Sequence, residues 1–197
     1  MSSSGEILPN DFPDAVNRVV FDEQMISRRV GELADEINQD YSGKDLAVVG
    51  VLQGAYAFTR DLVRELASPV PPDFMRISCY QKPFTGEVEI VEDLQQDITG
   101  RHVLLVEDIV DTGLSLNYLV HVLAGRYPAS LEVCALLNRS ELRLVEIPIK
   151  YVGFQVSDEF LIGYGLDFRG GYRDLPFVAT LNPHSVDPTN LSIPTPQ

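Results

Sequence analysis

The sequence predicts an α/β fold built on a central, mostly parallel sheet flanked by helices. Two observations carry that expectation. Short, continuous apolar runs such as LAVVGVL and VLLV alternate with stretches whose apolar residues recur at helical spacing. The polar and glycine-bearing clusters also fall directly after the apolar runs, as QGA and EDIVDTGLS do. Strands alternating with amphipathic helices imply right-handed crossovers, and ligands of such sheets bind beyond the carboxyl ends of the strands.

The elements follow in order. Residues 1–17 are polar and proline-interrupted and read as an N-terminal arm. Residues 22–38 carry Met25, Ile26, Val30, Leu33, Ala34 and Ile37 in helical register. LAVVGVL, bounded by turn residues, suits a strand covered on both faces. Phe58, Leu62, Val63 and Leu66 place a helix over 56–67, and DFMRISCY reads as the next strand. The alternating EVEIV, set among turn residues, reads as part of an extended hairpin or arm. VLLVEDI is a strand, and 116–123 a helix closed by Gly125 as a C′ residue. LEVCALL, YVGFQV, FLIGY and PFVATL complete the strands. The last residues, 183–197, hold four prolines and no periodic pattern, and are expected to be mobile. The core domain is therefore 18–182.

Composition narrows the function classes. The chain has 197 residues, 45% of them hydrophobic and 22% charged, as in an ordinary globular domain. Its net charge of −14 argues against a nucleic-acid partner. No apolar run approaches the ~20 residues that span a bilayer, so no membrane partner is expected. The first residues lack a basic start and an apolar core, unlike a secretory signal. Cys79 and Cys134 are too few for a disulfide framework or a zinc site, and the three histidines show no ligand spacing. These points together place the chain in the cytoplasm.

The densest chemistry lies in VLLVEDIVDTGLS, 103–115. Thr112, Gly113, Leu114 and Ser115 stand between a strand and a helix, where successive backbone N–H groups and two hydroxyls converge on an anion. GxxxxGK[ST] is absent, so this is not a Walker loop. Glu107 and Asp108, acceptors when ionised, would repel the same anion. A phosphorylated ribose resolves the conflict: its phosphate suits the turn and its diol suits the carboxylates, directly or through a divalent metal such as Mg²⁺. The plainer reading, a capped helix beside solvent-facing acids, fits a lone DxxDTG better than it fits this longer pattern.

The same stretch resembles the donor-binding signature of type I phosphoribosyltransferases. VGVLQGAYAFTRDL, SCYQKPFTGEVEI, YVGFQVSDEFLIGYGLDF and YRDLPFVATL resemble, in order, further segments of the hypoxanthine-guanine phosphoribosyltransferases. The likeness covers roughly 20–182. It implies that family's fold, with a small hood formed by terminal segments and a flexible lid loop within 79–92. It implies purine salvage: transfer of phosphoribosyl from 5-phosphoribosyl-1-pyrophosphate to a 6-oxopurine, with Mg²⁺ as cofactor, in a homodimer or homotetramer. By resemblance, Glu107 and Asp108 hold the ribose hydroxyls or Mg²⁺, and Asp111, Thr112, Gly113, Leu114 and Ser115 the 5′-phosphate. Asp111 is the general base or acid, and Tyr80 the lid tyrosine. Phe160 stacks on the purine and Leu161 meets its edge. Asp167 binds a second Mg²⁺ through water. Arg173 and the backbone of Gln53 and Gly54 reach pyrophosphate. For Phe160 ordinary core packing, and for Arg173 a salt bridge to Asp174, stay open on spacing alone.

Three departures stand out. Gln53 replaces a common Lys or Arg at a position where the family forms a cis peptide. Cys79 stands in place of a serine. Pro148 occupies the position expected for a lysine that meets the purine 6-oxo group, with Lys150 nearby. Hypoxanthine is therefore expected to serve at least as well as guanine. A phosphoribosyltransferase for xanthine or a pyrimidine, and a regulator that keeps the fold, are the competing readings.

Overall fold

The computed structural model describes residues 16–80 and 87–182. The main sheet has six strands in the order β4-β3-β2-β5-β6-β7. These are β2 (Leu46–Leu52), β3 (Asp73–Tyr80), β4 (Glu87–Glu92), β5 (His102–Val110), β6 (Ser130–Asn138) and β7 (Tyr151–Gln155). Every pairing is parallel except β3 with β4. The expected α/β class is therefore observed, with EVEIV as the antiparallel arm of a hairpin. The 81–86 part of the expected lid lies outside the described residues, as do 1–15 of the arm and the tail 183–197.

Burial explains the apolar runs. Val103 to Val106 of β5 are buried, as are Val133 to Asn138 of β6, because helices cover both faces. On one face lie α1 (Glu23–Asp40) and α2 (Tyr56–Glu65), whose Ile26, Val30, Leu33, Phe58 and Leu62 pack with Val48, Leu104 and Leu136. On the other, Leu116, Leu119 and Leu123 of α3 (Leu114–Ala124) pack with Val49, Val103 and Leu105. Asp22 caps α1 by accepting from Met25 N–H at 2.7 Å. Gly125 closes α3 in the right-handed conformation, φ −64°, so the left-handed C′ role expected for it is not used. On α1, Arg29 donates to the carbonyls of Val152 and Gly153 on the edge strand β7.

A second, three-stranded antiparallel sheet forms the hood. Its order is β1-β9-β8, from β1 (Val16–Phe21), β9 (Val178–Leu181) and β8 (Leu161–Ile162). The hood thus joins the two ends of the domain, and it has its own small core of Val16, Ile162, Phe177 and Ala179. The strand β1 begins inside the segment read as a polar arm, two residues before the expected boundary. Cys134 is buried in β6, and burial raises its thiol pKa. His102 and His121 make local bonds, to Ser130 and the Asn117 carbonyl. No helix among the described residues is long and apolar enough to cross a membrane.

Candidate active site

The carboxyl ends of β2, β5 and β6 lie side by side, because the parallel register pairs Gly50 with Val106 and Val110 with Asn138. Whatever follows each strand is therefore delivered to one rim. After β2 come Gln53 and Gly54, joined to Leu52 through a cis Leu52–Gln53 peptide, as the resemblance implied. At the end of β5 stand Glu107, Asp108 and Asp111.

Glu107 is buried, with 8% of its surface exposed. Burial, and then the Asp108 charge, push its carboxyl well above the usual range. Burial likewise lifts Asp108 to about 6, although the backbone N–H of Ile109 donates to it at 2.8 Å. The Arg173 charge pulls against the Asp108 shift, but neither acid forms an ion pair among the described residues. Mg²⁺, which prefers one or two carboxylates plus water and substrate oxygens, fits such a pair. No group of three or more His, Cys, Asp or Glu among the described residues forms a metal cage. The packing is close here: a side chain at Gly54 would overlap the Asp108 carboxylate, and one at Gly165 would overlap the Gly54 carbonyl.

The 111–115 turn opens α3. Gly113 sits at φ +82°, a conformation that favours glycine, and forms the helix cap without a side-chain bond. Thr112 Oγ1 accepts from Leu114 N–H at 3.4 Å. The first turn of α3 thus stands at the rim, where a helix N-terminus favours an anion. Ser115 is half-buried in the first turn of α3, and Leu114 is exposed.

Asp111 is not free. Its carboxylate pairs with Arg139 at 2.8 Å, and both side chains are about nine-tenths buried. Burial raises the Asp111 pKa, while Arg139 and Arg143 pull against it. Arg139 also donates to the carbonyls of Ser157 (2.7 Å) and Glu159 (2.7 Å). One guanidinium therefore ties the end of β5 to the segment that presents Phe160. Sequence reasoning missed Arg139. The one available signal is register: the residue following β6 falls beside those following β5.

Phe160 is 40% exposed, with Phe168 edge-on to it at 5.8 Å. It is not a core residue. Leu161 is buried and its backbone pairs with Thr180. Arg173 bonds to Asp167 (2.6 Å) and to the Gly165 carbonyl (2.5 Å), so its partner is Asp167 rather than Asp174. The other Asp167 oxygen accepts from Gly170 N–H at 2.8 Å. A cavity of about 320 Å³ is lined by Leu52, Gln53, Tyr56, Ala57, Arg76, Gly165 and Arg173. Tyr80 ends β3, and its side chain, like that of Cys79, lies outside the described part of the structure.

Lys150, close to Pro148 in sequence, lies away from the rim. Lys150 N–H bonds the Val133 carbonyl, and its ammonium pairs with Asp40 at 2.8 Å. Val133 is five residues before Asn138 on β6, so Lys150 lies roughly 16 Å back along the strand from the rim. The cation that reaches the corner of Asp111 and Phe160 is Arg139.

Comparison with known proteins identifies the family. A phosphoribosyl transferase domain model matches residues 19–169. The chain belongs to the phosphoribosyltransferase family. Its sequence is 41% identical to a hypoxanthine-guanine phosphoribosyltransferase of Mycobacterium avium, over 87% of this chain and 89% of that one. It is 42% identical to a hypoxanthine phosphoribosyltransferase of Salmonella typhimurium, over 81% and 92%. A crystal structure of a Staphylococcus aureus hypoxanthine phosphoribosyltransferase superposes with a TM-score of 0.86 at 36% identity, covering 92% of this chain and 100% of that chain. Within the phosphoribosyltransferases, these relatives place the chain among the hypoxanthine-guanine enzymes.

Proposed function

We propose that this chain transfers the 5-phosphoribosyl group of 5-phosphoribosyl-1-pyrophosphate to hypoxanthine, and also to guanine. The products are the nucleoside monophosphate and pyrophosphate. The observation that carries this reading is the placement of the carboxylate pair Glu107 and Asp108. It stands between an anion cradle, 111–115, and a cavity that holds Arg173, with the Asp111–Arg139 pair and Phe160 at the adjoining corner.

The residues divide the work. Residues 111–115 receive the 5′-phosphate, and Glu107 and Asp108 face the ribose hydroxyls. Phe160 stacks on one face of the base. Purine N9 bonds to C1′ while the C1′–oxygen bond breaks and its electron pair leaves with pyrophosphate. Asp111 accepts the proton that the base sheds. Burial has moved its carboxyl toward neutrality, which suits a general base, while Arg139 holds it in place. Arg173 and the backbone of Gln53 and Gly54 receive the departing pyrophosphate. Glu107, Asp108 and Asp167 would hold Mg²⁺, which would supply counter-charge to the donor's oxygens. Tyr80 and the loop after it exclude water from the reacting sugar.

Arg139 also bears on the choice of base. A guanidinium only donates hydrogen bonds. A 6-oxo group accepts them and the 6-amino group of adenine does not reciprocate, so the corner favours hypoxanthine and guanine. Both bases carry the 6-oxo group, and hypoxanthine is expected to do at least as well as guanine.

The deciding assay is pyrophosphate release from the donor with hypoxanthine, guanine, xanthine, adenine and uracil, with and without Mg²⁺. Turnover confined to 6-oxopurines and dependent on Mg²⁺ is expected. No turnover with any base overturns the reading, and a preference for xanthine or uracil reassigns the substrate. We place the enzyme in the cytoplasm as a homodimer or homotetramer, with 18–182 as the catalytic domain. Light scattering on the full chain tests the assembly.

A further inference from the structure

The cavity beside Gln53 holds a second arginine that the reaction as described leaves unused. Arg76 lies on β3 directly opposite Leu52 in the parallel register, one residue from the cis peptide. It lines the same cavity as Arg173. Its Nη2 forms an ion pair with Glu92, across the hairpin on β4. Its Nε is buried, yet finds no hydrogen-bond partner among the described residues.

Those facts do not fit a simple hairpin brace. The two side chains of the Arg76–Glu92 pair are 38% and 46% exposed, and pairs exposed to that degree add little stability. A buried N–H without an acceptor, by contrast, costs about 1–3 kcal/mol. A protein that keeps such a donor at a cavity wall offers a place to an acceptor that comes and goes. The charge balance points the same way. Arg173, the other guanidinium lining this cavity, is already bound to Asp167 and to the Gly165 carbonyl. Gln53, the residue on the adjoining loop, is neutral.

We propose that Arg76 is a second guanidinium for the pyrophosphate group, and that Glu92 holds it aside until that group arrives. The proposal rests on the phosphoribosyl-transfer reading and adds to it a binding residue with a built-in competitor. Substrate oxygens take the unpartnered Nε and displace the Glu92 carboxylate from Nη2. No covalent step is involved.

Two variants of the full chain test this with opposite signs. Magnesium pyrophosphate is titrated calorimetrically, and KM is measured for the donor and for hypoxanthine. Arg76→Met is expected to weaken pyrophosphate binding and raise the donor KM 10- to 100-fold, roughly the range for one charge-assisted hydrogen-bonding group. The hypoxanthine KM should stay within about twofold. Glu92→Gln, which removes the competitor, should tighten pyrophosphate binding about two- to tenfold. If Arg76→Met fails to fold, the sign of the Glu92→Gln effect still decides. Pyrophosphate affinity unchanged in Arg76→Met, or weakened by Glu92→Gln, overturns the proposal while normal wild-type turnover leaves the reaction standing. A wild-type protein that neither turns over nor binds pyrophosphate overturns both.

Discussion

Asp111 and Arg139 show how one pair can serve both packing and chemistry. Both side chains are about nine-tenths buried, so removing one strands the other's charge. Arg139→Met is expected to destabilise the protein by about 3–5 kcal/mol. It should also lower kcat, because Asp111 loses its orienting partner; thermal melts and steady-state rates check the two effects. Asp111→Asn should cost 10²- to 10⁴-fold in kcat, the usual reach of a lost general base, and full activity in that variant would remove Asp111 from the role. Asp108 makes a prediction in pH. Burial raises its folded pKa to about 6, above the ordinary 3.8. The folded chain therefore holds a proton that the unfolded chain has released, and the resulting stability is present below about pH 4 and lost as pH rises through 6. Denaturant melts of the ligand-free protein should show Asp108→Asn more stable than wild type at pH 7.5, on the order of 2 kcal/mol, with a flatter profile between about pH 4 and 6. The same variant should lose donor affinity.

At the level of elements, the strands were legible because each is an apolar run buried on both faces, and the helices because their buried faces repeat every three to four residues. The hood strand β1 was not. VNRVVF is short, and its partner β9 lies some 160 residues away, so no local pattern announces the pairing. Within the site, VLLVEDIVDTGLS announced the two carboxylates at the end of β5 and the turn into α3, since they are contiguous in the chain. Arg139 was hidden because its meeting with Asp111 depends on how β5 and β6 align. Pro148 precedes β7, and a residue that precedes a parallel strand lies at its amino end, away from the rim formed by the carboxyl ends. The turn after β2 carries its own test. Gly54→Ala would drive a methyl group into the Asp108 carboxylate. Loss of donor binding is expected in calorimetry even where circular dichroism shows the sheet intact.

For the molecule as a whole, 29 acidic residues face 15 basic ones. Self-repulsion of that size weakens the compact state and is screened by salt. The melting temperature of the ligand-free enzyme should rise by a few degrees, ~2–5 °C, between 20 and 200 mM NaCl. A flat or falling profile would show that local ion pairs outweigh the overall charge. The hood adds a different kind of whole-molecule effect. Gly165 rests against the Gly54 carbonyl, so the backbone beside the base is also the wall of the pyrophosphate loop. On the proposed assignment the two substrates share one piece of main chain, and their affinities are then linked quantities. Whatever factor the donor applies to the affinity for the base, the base must apply to the donor, since both describe a single thermodynamic cycle.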